Sequence, residues 1–298
     1  MSSINGILNI NKPADRTSLW VVNLVRRQTR QRHVGHVGTL DPIAEGVLPV
    51  CLGKATRVIP YILSQHKTYV AEIELGIATD TYDIEGTVTQ RADPSNVSRE
   101  QMEQTITRFR GSILQKPPMY SALKKNGIRL YDLARAGIEV ERDDRQVEIY
   151  RIDLVEWRLP YFTIEIECGR GTYVRSVAHD IGQAIGCGAY LKGLVRTVFG
   201  PFRIENSVTL DQFLDEVKMA SWQGRLYPID TVFACSSVAV VDAEQERDIR
   251  NGSTVSLEVE DAMQHCRAYS QDGRFIALLR LSAESGLWHP EKVFLNSG

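Results

Sequence analysis

The segment Gly35-His-Val-Gly-Thr-Leu-Asp-Pro-Ile-Ala-Glu-Gly46 is the most distinctive stretch of this 298-residue chain. Three glycines in twelve residues, with Asp-Pro between them, predict a shaped loop, because glycine permits positive φ and close backbone approach. Such a loop would present Asp41 on a rigid turn. A carboxylate held there can act as a nucleophile or base if a nearby cation keeps it ionised. The pattern leaves a second interpretation open, in which Asp41 caps a turn.

A second segment, Cys168-Gly-Arg-Gly-Thr-Tyr-Val-Arg175, lies at a predicted junction between a strand and a helix. Arg175 would occupy the first helical turn, where its guanidinium could pair bidentately with Asp41 and keep the pKa of that carboxyl low. On the pattern alone, an arginine at the surface or on a phosphate is the favoured interpretation. In a third segment, which runs from Lys116 to Tyr131, proline, aromatic and basic residues alternate. This composition is typical of an RNA-gripping loop or of a proline-rich connector.

Hydrophobic periodicity around these segments predicts an α+β fold. Strands separated by helices pair antiparallel without a regular βα rhythm. The predicted elements are a strand at Ile7–Ile10, a helix from Thr17 or Ser18, a helix over Lys54–Leu63, a strand from Tyr69, a helix from Ser98 to about Arg110, antiparallel strands Val147–Trp157 and Tyr161–Cys168, a helix from Gly171 to Gly186, and a helix capped by Thr209.

The sequence changes character around Leu226-Tyr-Pro-Ile-Asp230. Beyond this point we expect a short helix from Asp242 to Arg250 and about four short strands, with a hairpin turn at Gln271-Asp272-Gly273. The chain is therefore divided into a main domain, residues 1–230, and a small β-rich domain, residues 231–298.

The composition, 43% hydrophobic and 24% charged, is that of an ordinary globular protein. Neither a membrane-spanning run nor a secretory signal is recognisable. Five cysteines without zinc-ligand spacing favour reduced thiols in a cytoplasmic protein and argue against a metal site.

The net charge of −2 conceals an uneven distribution. Residues 1–67 carry nine basic and three acidic side chains, and residues 108–135 carry seven basic side chains and one acidic. From residue 231 onward, six basic residues face ten acidic ones. The two basic stretches could form a patch for a polyanion, or they could be ordinary solvated helix faces.

Four long segments, in matching order and spacing, closely resemble the bacterial tRNA pseudouridine-55 synthases of the TruB type. They are GHVGTLDPIAEGVLPVCLGKATR, KTYVAEIELGIATDTYDIEG, KPPMYSALKKNGIRLYDLARAGIEVER and CGRGTYVRSVAHDIG. The resemblance implies the pseudouridine synthase fold, with a mixed, mostly antiparallel central sheet flanked by helices and loops. The carboxyl-terminal part resembles the PUA-like RNA-binding domain that many of these enzymes carry.

The resemblance also implies roles for single residues. Asp41 matches the catalytic aspartate, and Tyr69 matches the tyrosine that stacks on the target uracil and is implicated in removing the C5 proton. Arg175 matches the arginine that pairs with the aspartate, and His36 the histidine that supports the flipped-out RNA. Lys12 matches an amino-terminal lysine near the active site.

The segment 116–142 corresponds to the family's RNA-gripping insertion, in which we expect RNA contacts from Lys116, Tyr120, Lys124, Lys125 and Arg129. One position departs from the family pattern Lys-Pro-x-Gly-x-Thr-Ser, because Asp15 stands where a glycine is usual. The departure puts the path of this loop in question.

The implied reaction isomerises uridine 55 in the T-loop of tRNA. It gains no atoms, so no cofactor or metal is expected. The expected partner is the T-arm stem-loop of tRNA, acted on by a cytoplasmic monomer without guide RNA, membrane or protein partner. Two alternative functions are those of a guide-RNA-dependent pseudouridine synthase and of a tRNA-binding chaperone without catalysis. An assay of the pure protein on unmodified tRNA, without guide RNA, separates all three.

Overall fold

The computed structural model describes residues 4–121, 123–125 and 127–294. Its strands, in chain order, are β1 (Gly6–Lys12), β2 (Val34–His36), β3 (Ala44–Leu52), β4 (Lys67–Leu75), β5 (Ile77–Thr79), β6 (Val88–Arg91), β7 (Gly111–Gln115), β8 (Lys124–Lys125), β9 (Ile128–Arg129), β10 (Arg145–Arg158), β11 (Tyr161–Cys168), β12 (Ala189–Phe199), β13 (Phe202–Arg203), β14 (Val208–Thr209), β15 (Leu226–Tyr227), β16 (Ser237–Val241), β17 (His265–Ser270), β18 (Phe275–Leu281) and β19 (Trp288–Val293). The helices are α1 (Ser18–Thr29), α2 (Ile59–Leu63), α3 (Arg99–Thr107), α4 (Leu130–Arg135), α5 (Val174–Ile185), α6 (Leu210–Lys218) and α7 (Ala243–Asn251). Among the described residues, no helix is long and apolar enough to cross a membrane.

A large mixed sheet forms the centre of the molecule, in the order β14-β1-β3-β12-β4-β11-β10-β7, with β2, β13 and β15 attached beside it. The β1–β14 and β3–β12 pairings are parallel, and the other pairings of this sheet are antiparallel. The predicted α+β class with a mixed, mostly antiparallel sheet is therefore confirmed.

Alternating burial along β4 shows how the sequence builds this sheet. Tyr69, Ala71 and Ile73 are buried on one face, while Val70 and Glu72 on the other face are half-buried. Helix α5 packs its apolar stripe against β12 and β4, and it ends at Gly186, which adopts the left-handed conformation at φ 93°. The predicted strand and helix are both confirmed, and the junction between β11 and α5 places residue 175 in the first turn of the helix.

Two predicted helices differ from the structure at their bounds. The stretch predicted over Lys54–Leu63 is a 3₁₀ helix, Gly53–Val58, followed by α2. Pro60 in the first turn of α2 lacks an amide hydrogen, so a new helix begins there instead of continuing the previous one. Helix α3 ends at Thr107 rather than near Arg110, shortly before Gly111 at φ 88°.

The carboxyl-terminal residues form the expected β-rich unit, a four-stranded sheet in the order β16-β17-β18-β19 with α7 beside it. The β17–β18 hairpin turns at the predicted Gln271-Asp272-Gly273. Leu278 and Phe294 of this unit pack into the same apolar cluster as Val58 and Phe199 of the preceding part. The division into residues 1–230 and 231–298 stays a prediction.

Candidate active site

The loop that carries Asp41 connects β2 to β3 and is anchored on both sides. The Ser18 hydroxyl accepts from the Leu40 amide at 2.9 Å and donates to the Leu40 carbonyl at 3.1 Å. The Ala44 amide donates to the Asp41 carbonyl at 3.1 Å. Gly46 has φ 98°, and a Cβ there would lie 2.3 Å from the Arg196 carbonyl oxygen, so only glycine fits. The shaped loop predicted from the glycines is present.

Lys12 fastens this loop to the chain segment that follows β1. Its side chain is fully buried, and Nζ donates to the carbonyls of Pro13 (2.8 Å), Arg16 (2.6 Å) and Pro42 (3.2 Å). Burial lowers the pKa of Lys12 to about 8, although the charges of Asp41 and other nearby carboxylates act to raise it. Because three backbone carbonyls occupy the ammonium, its placement favours a positioning role over direct RNA contact.

Asp15 takes the conformation that glycine adopts most easily. Its φ is 59°, and its amide donates to the Pro42 carbonyl at 2.9 Å. Aspartate is among the few non-glycine residues that tolerate the left-handed region. Although Asp15 departs from the family pattern, its loop therefore still packs on Pro42, the residue next to Asp41.

Arg175 contacts Asp41 through a single nitrogen. Its Nε lies 2.9 Å from Oδ2 of Asp41, Nη1 lies 3.0 Å from Oδ2 of Asp83, and Nη2 donates to the Tyr120 carbonyl at 2.9 Å. The two residues meet as predicted, but the expected bidentate pairing is wrong, because the other arms of the guanidinium are used elsewhere. The Arg175 side chain is 5% exposed, whereas that of Asp41 is 37% exposed.

The electrostatic environment of Asp41 is balanced between opposing effects. Burial raises the pKa of Asp41 above its ordinary value, and the charge of Asp83 raises it further. Arg175 and Lys12 act to lower it. Arg175 lowers the pKa of Asp41 as expected, but burial outweighs this effect, so the pKa is raised above its ordinary value and is not low.

Asp83 was not singled out by sequence reasoning. Its side chain is 3% exposed, and Oδ1 accepts from the Thr81 hydroxyl at 2.6 Å and from the Glu85 amide at 3.1 Å. Tyr82, with φ 66°, turns the chain so that the neighbouring Asp83 reaches Arg175, and its ring stacks on His179 at 3.9 Å. The local signal was an aspartate between Thr81 and Gly86 in a turn-rich segment.

Tyr69 enters the site from the buried face of β4. It is 7% exposed and pairs in register with Arg196 of β12. Burial raises the pKa of Tyr69, while the charge of Arg196 and its hydrogen bond to the phenol oppose that rise; Asp41 is close enough to add to it. Tyr69 and Asp41 therefore share one site.

Arg196 is a second residue of the candidate site that sequence reasoning missed. It is 1% exposed, with Nε donating to the Val47 carbonyl at 2.7 Å and Nη2 to the Gly38 carbonyl at 2.9 Å. It thus connects the strand of Tyr69 to the turn that leads into Asp41. The sequence carried no signal for this role, because an isolated arginine in a strand usually faces solvent.

Comparisons with known proteins agree with this geometry. The sequence model described as TruB family pseudouridylate synthase (N terminal domain) matches residues 26–174. The model of the tRNA pseudouridylate synthase B C-terminal domain matches residues 175–234. A tRNA pseudouridine synthase B of Dehalococcoides mccartyi is 46% identical over 292 residues, 98% of this chain and 97% of that protein. The chain belongs to the TruB family of pseudouridylate synthases.

Other relatives match this chain over similar lengths. A tRNA pseudouridine synthase B of Clostridium tetani is 41% identical over 279 residues, 92% of this chain and 95% of that protein. Among solved structures, a Cbf5-Nop10-Gar1 complex contains a chain that matches with a TM-score of 0.76 and 25% identity. The match covers 97% of this chain and 85% of that one.

The other residues predicted to bind the substrate RNA differ in burial and in their hydrogen-bond partners. His36 is half-buried on β2, and its Nδ1 has no hydrogen-bond partner in the described part of the chain. Burial lowers the pKa of His36, and the charge of Arg196 lowers it further. Lys116 is exposed and Tyr120 half-buried. Lys125 donates to the Glu141 carbonyl. The side chains of two further predicted contacts lie outside the described residues, namely Lys124 and Arg129.

The start of the 116–142 insertion is clamped to the helix that carries Arg175. The Gln115 amide group donates to the Tyr173 carbonyl at 3.1 Å, and the Tyr173 amide donates back to Gln115 at 2.8 Å. The Ser176 hydroxyl donates to the Lys116 carbonyl at 2.9 Å. Within the described ranges, no group of three or more His, Cys, Asp or Glu side chains is placed to hold a metal ion.

Proposed function

We propose that this chain converts uridine 55 in the T-loop of tRNA to pseudouridine, with Asp41 as the catalytic carboxylate. The observation that carries this proposal is the partly exposed Asp41 carboxylate held 2.9 Å from the buried guanidinium of Arg175, beside Tyr69. The names of the tRNA pseudouridine synthase B relatives support tRNA as the substrate.

The chemistry needs few groups. The N1–C1′ bond of uridine breaks, the uracil rotates, and a C5–C1′ bond forms; C5 then loses a proton and N1 gains one, so no oxidant or co-reactant is consumed. An ionised carboxylate can attack C6 of the base or C1′ of the sugar, and Asp41 is suited to either role. Arg175 favours the ionised form of Asp41, because it places a fixed positive charge beside it.

Tyr69 provides the aromatic surface that the uracil requires. Its ring lies in a buried position on β4, close to Asp41, where it can stack on the base and help to exclude water. The target uridine must leave its stack in the T-loop, at a cost of a few kcal/mol. RNA contacts from the basic stretches and from the insertion 116–142 would offset this cost.

The same proposal assigns the chain to the cytoplasm as a monomer that needs no guide RNA. The chain in the Cbf5-Nop10-Gar1 complex has the same fold, which keeps a guide-dependent reaction as the second candidate. Pseudouridine formation by the purified chain on an unmodified tRNA transcript, with no other RNA, distinguishes the two. Activity that appears only on adding a guide RNA and partner proteins would favour the second candidate.

The decisive variant is Asp41→Asn, which preserves size and hydrogen bonding but removes the charge. We expect tritium release from tRNA labelled at C5 of uridine to fall at least ~10³-fold, with RNA affinity in filter binding close to that of the parent. The matched control is Asp93→Asn, at an exposed aspartate, which should leave both unchanged. Near-parental tritium release by the Asp41 variant would remove this residue from its role.

A further inference from the structure

An exposed aromatic and cation pair lies beside the catalytic loop, at the start of α1. Trp20 is 42% exposed and the adjacent Leu19 is 60% exposed. The guanidinium carbon of Arg16 lies 5.1 Å from the centre of the Trp20 ring. Of the four tryptophans in the chain, Trp20 alone is classed as exposed. Core packing does not account for a tryptophan in this position.

Hydrogen bonds fix this pair relative to Asp41. The Arg16 carbonyl accepts from Lys12, which also binds the Pro42 carbonyl. The Trp20 amide donates to the Thr17 hydroxyl at 3.1 Å, and that bond caps α1. One residue further along, the hydroxyl of Ser18 bonds the backbone of Leu40, which immediately precedes Asp41. These bonds hold the backbone of the segment that carries the Arg16–Trp20 pair against the catalytic loop.

The sequence segment that contains the pair is basic, as a partner that carries negative charge requires. Residues 16–40 contain five arginines and no aspartate or glutamate. All five are exposed, and in the part of the chain that the structure describes none of them forms an ion pair with a carboxylate. Cations that are not neutralised by the protein are available to phosphate groups.

We propose that Trp20 stacks on a nucleobase of the substrate RNA adjacent to the flipped-out uridine, and that Arg16 contacts a neighbouring phosphate. The inference rests on the proposed function, because it requires an RNA with one base removed from its stack. When a nucleotide leaves its stack, the face of its neighbour loses a partner, and proteins commonly cover such a face with an aromatic ring or an arginine. An exposed tryptophan with an arginine against it supplies both groups, on a segment that is bonded to the loop of Asp41.

Substitutions in the full-length protein test the stacking. Base–aromatic stacking is of a strength that changes affinity by roughly 5- to 150-fold. We expect Trp20→Ala and Trp20→Leu to raise the tRNA concentration for half-saturation within this range, and Trp20→Phe to raise it by much less. The single-turnover rate at saturating tRNA should stay within about 2-fold of the parent rate. Val155→Ala, at a 60% exposed side chain on β10, is the control and should bind like the parent.

The charge contact is tested by Arg16→Gln. This variant should bind tRNA more weakly, and its slope of log affinity against log salt concentration should be less steep than that of the parent. A Trp20→Leu variant that binds like the parent would overturn the stacking. An Arg16 variant with unchanged affinity and salt slope would overturn the phosphate contact. The melting temperature of each variant is measured to show that it is folded. It should equal that of the parent, because Trp20 and Arg16 are exposed.

Fluorescence supplies a readout that a purely structural role would not change. In an Asp41→Asn background, binding of an unmodified T-arm stem-loop should quench tryptophan emission, and Trp20→Phe should remove most of that quenching. Equal quenching with and without Trp20 would overturn the inference. Failure of the proposed function has a different signature, namely no pseudouridine made by the parent chain on tRNA.

Discussion

The Nε of Arg175 lies 2.9 Å from Oδ2 of Asp41, yet its hydrogen does not point along that line, so the contact is an ion pair rather than a directed hydrogen bond. The directed bonds of the guanidinium go to Asp83 and to the Tyr120 carbonyl. The cation is thus fixed by groups other than its catalytic partner. The Asp41 carboxylate can therefore turn toward a substrate while the positive charge beside it stays in place.

Asp83→Asn tests whether Asp83 holds Arg175 for catalysis. Asparagine keeps the size of the side chain and can still accept from Thr81, but it loses the charge that pairs with the guanidinium. We expect the single-turnover rate at saturating tRNA to fall about 10- to 100-fold with little change in affinity, because a small displacement of a positioning group is costly.

The pH profile of the Asp83 variant separates this role from a merely structural one. The charge of Asp83 raises the pKa of Asp41. Without that charge Asp41 stays ionised to lower pH, so the acid limb of the rate profile should shift to lower pH. A variant whose rate and acid limb both match the parent would show that Asp83 does not act on Asp41.

Asp15→Gly should be tolerated, and Asp15→Val should not. At φ 59° a glycine avoids the steric cost of the left-handed region but loses more chain entropy on folding, so the free energy of unfolding should stay within ~1 kcal/mol of the parent. A β-branched valine should lower it by ~1–2 kcal/mol or more. Urea denaturation of the two variants measures both changes. Equal stability of both variants would mean that the loop adopts a different path in solution.

The elements of this fold follow from local sequence patterns, whereas the site depends on contacts that such patterns do not encode. The period-two alternation of apolar residues in the sequence predicted β4, and the glycine at position 186 predicted the end of α5. The break before α2 was missed because Pro60 was included in one helical run instead of being treated as the start of another.

The pairing of Asp41 with Arg175 was predicted because each residue lies in an unusual glycine-rich segment. Asp83 and Arg196 lie in less distinctive segments, and their roles arise from partners far away in the chain. Arg175 meets Asp83 across 92 positions, and Arg196 meets the Gly38 carbonyl across 158. Only the tertiary packing of helix α5, the Asp83 turn and the paired strands brings these groups together.

Asp180→Asn should stabilise the protein at alkaline pH and have little effect at acid pH. Burial, together with the charge of Asp144, raises the pKa of Asp180 from its ordinary value of 3.8 to about 6. The folded state therefore prefers the protonated form, and the stability that this proton contributes is lost as the pH rises through about 6. Asparagine resembles the neutral acid. We expect a higher melting temperature than the parent at pH 8 and an equal one at pH 4.

The control for this prediction is Asp144→Asn at an exposed position. Removing its charge should produce a smaller change in the same direction, since burial is the larger cause of the Asp180 shift. An Asp180 variant whose melting temperature differs from the parent by the same amount at both pH values would contradict the assigned titration.

The carboxyl-terminal unit should unfold in the same thermal transition as the main domain, and weakening its packing should leave the single-turnover rate unchanged. Leu278 is fully buried in the cluster that also contains Val58 and Phe199. Leu278→Ala should therefore lower the free energy of unfolding by ~2–5 kcal/mol.

Because the cluster spans both parts, calorimetry should show one transition shifted to lower temperature. The control Val240→Ala, at a 65% exposed position, should shift that transition little. Well below the melting temperature, the saturating single-turnover rate should equal that of the parent, because Asp41, Tyr69, Arg175 and Arg196 all precede residue 231. Two separate transitions would show that the units unfold independently, and a folded variant with a collapsed rate would place the carboxyl-terminal unit in the architecture of the active site.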